Sequence, residues 1–74
     1  MEVFLVKSGD YYDGMGVESV HKTQESAVLY VEKKLAAFVE PYGEKFIASP
    51  HITKMWVSPH SDDKFQIEKW EVKD

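Results

Sequence analysis

The sequence predicts an α+β fold: a four-stranded, largely antiparallel sheet with one amphipathic helix packed on one face, in the order ββαββ. Three observations predict it. The stretch from Thr23 to Val39 has helical periodicity with a start and a stop signal. Four short runs have the apolar, β-branched character of strands. They fall two before and two after the helix, so short connections give antiparallel neighbours. Seventy-four residues fit a single domain, 1–74, near the lower size at which a hydrophobic core alone holds a fold.

The first strand is Glu2 to Lys7, EVFLVK. Val3 and Leu5 share one face and Phe4 and Val6 the other, and a strand apolar on both faces belongs in the middle of a sheet. Ser8 to Gly16 holds three of the four glycines, with Asp13-Gly14 as a turn dipeptide. Either Tyr11 and Tyr12 extend the ladder and the turn is Asp13 to Gly16, or the segment is a loop that displays both tyrosines. Val17 to Lys22, VESVHK, is the second strand; its poorer apolar content puts it nearer an edge.

In the helix, Ala27, Val28, Val31, Leu35, Phe38 and Val39 fall within an arc of about 120°, the width of a face that packs on a core. Thr23 is suited to the N-cap, where its hydroxyl accepts from a free first-turn amide, and Glu25 suits the positive end of the helix. Pro41 disfavours the helical conformation at Glu40, and Gly43 offers a left-handed residue just beyond. Leu29 and Tyr30 point away from the stripe and are the helix's sign of a contact other than the core.

Glu40 to Pro50 connects, with an apolar piece, Phe46 to Ala48, that covers an end of the core or adds one ladder pair. In the third strand, Ile52 to Val57, alternation puts Ile52, Lys54 and Trp56 on one face and Thr53, Met55 and Val57 on the other. Ser58 to Lys64 is rich in turn residues. The last strand, Phe65 to Val72, slips in phase: Phe65 and Ile67 share a face, Trp70 and Val72 the opposite one. A bulge near Glu68 and Lys69 would bring all four to the core side; without it the strand is apolar on both faces at different points. The second face of the sheet has no obvious cover, and the candidates to lie there are some of Phe4, Val6, Ile52, Trp56 and Trp70, where uncovered aromatics mark a partner or dimer interface.

Thirteen acidic residues against nine lysines give a net charge of −4, with no Arg and no Asn. Without guanidinium forks, an acidic chain has to bind phosphate with point charges against its own repulsion, so nucleic acid is an unfavoured partner. Carboxylates and lysines alternate along the chain, which also disfavours mimicry of a nucleic acid. The absence of Cys removes disulfides, thiolate metal sites and thiol nucleophiles, and fits a reducing compartment. No signal-peptide pattern or membrane span is visible, and the expectation is a soluble, cytoplasmic protein without a membrane partner.

The N-terminal strand EVFLV, the glycine-bearing turn, the strand ending GVESVHKT, the helix opening QESAVLYVEKK and the closing strand IEKWEVKD together resemble the layout of small uncharacterised proteins of bacteriophages and some bacteria. The resemblance covers Val3 to Lys34 and Ile67 to Asp74. It implies a short phage-type protein that binds and redirects a host protein in the host cytoplasm, and it supplies no site residues.

Chemistry-bearing constellations are few. His21, His51, His60, Asp62 and Asp63 are the set with metal or acid–base character, but His51 and His60 flank the third strand, roughly 27–30 Å apart if the segment is extended. HSDD and Asp10 with Asp13-Gly14 read as turn residues, since neither has the spaced ligands of a cation loop. There is no nucleophile elbow, no Ser beside a plausible base and no phosphate-cradling glycine loop. The sequence therefore reads as a non-enzymatic protein-binding module without cofactor or metal, its partner-binding residues being Tyr11, Tyr12, Leu29, Tyr30 and Trp56. The alternatives are a single-stranded nucleic-acid binder that stacks bases on sheet aromatics, and a structural homodimer.

Overall fold

The computed structural model describes residues 1–10 and 14–73. Along the chain run β1 (Glu2–Asp10), β2 (Gly14–His21), α1 (Gln24–Leu35), β3 (Gly43–Lys45), β4 (Ile52–Val57) and β5 (Lys64–Glu71). The strands form one sheet in the order β2-β1-β5-β4-β3, with antiparallel pairing throughout. The α+β class and the single helix are as the sequence predicts, but the sheet has five strands, not four. The additional strand, β3, lies within the Glu40–Pro50 connection and pairs Glu44 with Trp56 and Lys45 with Met55. It carries no apolar alternation to announce it; backbone pairing and the ion pair between Lys54 Nζ and Glu44 Oε1 at 3.0 Å hold it. The apolar piece Phe46–Ala48 lies just beyond it, with Phe46 exposed.

Helix α1 begins where its cap dictates: the Thr23 hydroxyl accepts from the Ser26 amide at 3.1 Å, Glu25 lies in the first turn, and Lys33 and Lys34 lie in the last. It ends at Leu35, four residues before the apolar periodicity does. The amides of Ala37 and Phe38 bond to the carbonyls of Lys34 and Leu35 at 3.2 and 3.0 Å, a tightened turn that satisfies the last carbonyls and takes Phe38 and Val39 off the stripe. Val39 is left exposed, and the Phe38 ring lies 5.0 Å from that of Tyr42.

The helix lies over β2, β1 and β5. The core beneath it joins Ala27 and Val31 to Phe4 and Val6 of β1, Phe65 and Ile67 of β5 and Trp56 of β4, with Val28, Tyr30, Leu35 and Tyr42 at its margin. This corrects three placements, because Phe4, Val6 and Trp56 lie under the helix and not on the uncovered face. The phase is also kept differently. Strand β5 runs in unbroken register against β1 from Glu71 opposite Glu2 to Lys64 opposite Gly9, with no bulge there at Glu68–Lys69. The shifts lie elsewhere in the sheet: β4 gains a residue between Ile52 and Lys54 against β5, and β2 gains Glu18 opposite the Val6–Lys7 step of β1. Trp70 consequently stays on the face opposite to Ile67, and Ile52 changes sides to join Met55 and Val57.

Two stability predictions follow from this packing. Ile67→Ala, at a fully buried position, lowers the unfolding free energy by about 2–5 kcal/mol in urea titration, whereas Phe46→Ala changes it by less than about 0.5 kcal/mol. At Gly9, with φ +157°, an added Cβ would stand 1.9 Å from the Gly14 carbonyl oxygen. Gly9→Ala therefore costs more than about 1 kcal/mol in the same titration.

Candidate functional site

An antiparallel sheet with one face in water normally turns polar side chains outward. The face away from α1 follows that rule at Lys7, Lys64, Gln66 and Glu68 and departs from it around them. Residues paired across strands share a face, so the register places Val20 beside Leu5, Val17 beside Lys7 and Trp70 beside Val3 on this side, with Met15, Ile52, Met55 and Val57 further out. Val17 and Val20 are 55 and 60% exposed, and Trp70 is also exposed. Met55 is buried yet stands outside the core cluster, as its place on this second face requires. The bulge at Glu18 is what lets Val17 and Val20, three residues apart, present themselves together.

A charged group is sunk in the middle of this face. Glu68, only 7% exposed, receives the Trp70 indole N–H on Oε1 at 2.9 Å, and on Oε2 the Gln66 amide at 2.5 Å and the Lys7 ammonium at 3.1 Å. Burial works against the ionised form. The hydrogen bonds from Trp70, Lys7 and Gln66, together with the charge of Lys7, outweigh it and hold the carboxyl below its ordinary range. Among the described residues no buried side-chain polar atom lacks a hydrogen-bond partner. The His51 ring stacks on Trp70 with centroids 4.0 Å apart and planes 11° from parallel, which fixes the indole that serves Glu68.

The partner-binding residues expected from sequence do not converge on one surface. Trp56, 4% exposed in the core, has no surface to offer a partner. It lies on the opposite side of the sheet from Trp70, so the two tryptophans form no common stacking platform. Leu29 is 58% exposed on the helix, as its position off the stripe predicts. Tyr30 is half-buried at the core margin, its ring 5.5 Å from that of His21 and 5.6 Å from the Lys34 ammonium. Both belong to the helix layer. Tyr11 and Tyr12, with Asp13, lie outside the described residues. Sequence reading missed Val17 and Val20, because their spacing contradicts strand alternation unless the bulge is known.

The three histidines sit in separate settings. His51 stacks on Trp70, and His60 pairs with Glu40. His21 bridges Ser19 and Ser26, its two ring nitrogens each 2.7 Å from a hydroxyl. The arrangement ties the end of β2 to the first turn of α1. Among the described residues no group of three or more His, Cys, Asp or Glu is placed to hold a metal ion, and no helix is long and apolar enough to cross a membrane. Comparison of the chain with family models, curated proteins and solved structures finds no match.

The Glu68 network predicts a pH dependence with a definite sign. A carboxyl lowered in the folded state adds stability that is fully present above its unfolded value, ordinarily 4.5, and is lost as pH falls through the lowered folded value. Unfolding free energy measured in urea across the acid range therefore declines below that point, and Glu68→Gln flattens the decline. Parallel acid limbs for the two proteins would contradict the assignment.

Proposed function

We propose that this chain is a non-enzymatic protein-binding module whose docking surface is the helix-free face of the sheet. The observation that carries the reading is the apolar outward row of Val3, Leu5, Val17, Val20 and Trp70, where a water-facing strand would present polar side chains. Aromatic and aliphatic anchors around a satisfied polar centre are also the composition of a protein interface, in which unpaired charge is excluded from the core of the contact. Leu29 and Tyr30, on the other layer, stand outside this surface. Tyr11 and Tyr12 remain candidates by sequence alone. The resemblance in layout adds a host protein as a partner class, and the physical case for the face does not depend on it.

A photo-crosslinking side chain placed at position 20 or at position 29 tests the reading with matched exposure. In bacterial lysate the variant at Val20 forms protein adducts in clear excess over the variant at Leu29, and mass spectrometry of the adduct names what lies on the face. Equal yields at the two positions would show that the sheet face has no special role.

A further inference from the structure

We propose that the occupant of the helix-free face is a second copy of this chain, stacked face to face about a two-fold axis that passes through the patch of Val3, Leu5, Val17, Val20 and Trp70. The inference rests on reading that face as a docking surface. Its first support is that the chain alone is under-covered. Its accessible surface is 5222 Å² where roughly 4,700 Å² is usual for a monomer of 8.6 kDa, and its radius of gyration is 12.2 Å where roughly 11 Å is usual. The patch contributes to that excess through Val17 and Val20, 55 and 60% exposed.

The second support is charge. Lys7 and Glu68 neutralise each other within one chain, so the face asks its partner for no counter-charge; the surface that complements it is apolar, and an isologous contact offers that patch to itself. Lys45 and Lys64 lie on the same face by register, at the β3 margin and at the end of the β1–β5 pairing far from Val3 and Trp70, so their charge stays outside the patch. The size sets the strength. The patch spans three strands, β2, β1 and β5, about 4.8 Å apart and several residues long at about 3.3 Å each, a flat footprint of roughly 300 Å² that belongs to the small, weak class of interface, so the dimer forms only at high concentration. Pairing through sheet edges is the competing route to a dimer, and the edges discourage it: β2 is bulged at Glu18 and β3 is three residues long.

Sedimentation of the full chain from about 1 to about 500 µM tests the proposal. The wild type shifts from 8.6 kDa toward twice that mass. Val20→Lys weakens the association at least about tenfold, while Leu29→Lys, at equal exposure on the helix, leaves it unchanged. Circular dichroism verifies that each variant is folded, and Val17→Lys replaces Val20→Lys should the latter unfold. A wild type that stays monomeric throughout overturns the second-copy inference alone; adducts to a different protein at position 20 then leave the docking reading standing. A dimer indifferent to substitution at Val17 and Val20 overturns the second-copy assignment, and with equal crosslinking at positions 20 and 29 the docking reading falls too.

Discussion

Strand β5 is central in the sheet and has to satisfy two unlike environments at once. With β1 along its whole length on one side and β4 beside Lys64–Glu68 on the other, its side chains alternate between the core under α1 and the helix-free face. Phe65 and Ile67 point one way into apolar packing. Gln66, Glu68 and Trp70 point the other way and form a hydrogen-bonded set that closes on Lys7 of the neighbouring strand. A one-residue slip would drive Glu68 under the helix, so the register of β5 is strongly specified. The rest of the sheet adapts around the unbroken β1–β5 pair: one bulge falls in β4, beside β5, and the other in β2, beside β1.

That adaptation shapes the surface. The extra residue in β2 breaks strict alternation and brings Val17 and Val20 onto the same side as Leu5; the extra residue in β4 moves Ile52 there while Trp56 stays under the helix. One helix of twelve residues cannot cover both sides of a five-stranded sheet. The core it makes is small, and the second face still leaves Val17, Val20 and Trp70 exposed. Apolar surface removed from water there contributes about 25 cal/mol per Å², which matters for a domain of this length. The polar centre does not oppose such burial, because each Glu68 oxygen already has its donors and a dry partner would leave no charge orphaned.

Much of this architecture is legible in the residues. Thr23 announces the start of the helix, the apolar run Val3 to Val6 places β1 inside the sheet, and the thin apolar content of VESVHK puts β2 at an edge. The helix end is less legible, since Phe38 and Val39 continue the period while the turn at Ala36 and Ala37 has already closed on earlier carbonyls. Strand β3 is invisible because Gly-Glu-Lys carries no burial signal; its partner strand supplies the pairing. Bulges are the main reason the grouping of Val17, Val20 and Ile52 on one face is not legible in the residues. A shift of one residue exchanges faces, and neither Glu18 nor Thr53 differs in type from an ordinary strand residue. Trp56 and Trp70 are equally plausible as anchors by composition, and only register separates a core tryptophan from an outward one.

The account turns on whether the helix-free face is covered in solution, and methyl-resolved solvent paramagnetic relaxation at high protein concentration reads that directly. Val17 and Val20 have the same exposure within one chain as Leu29 on the helix, which serves as the internal reference. The account predicts that a soluble paramagnetic probe relaxes the Leu29 methyls strongly and the Val17 and Val20 methyls weakly, with the difference vanishing on dilution. Equal relaxation of all three at every concentration would contradict it.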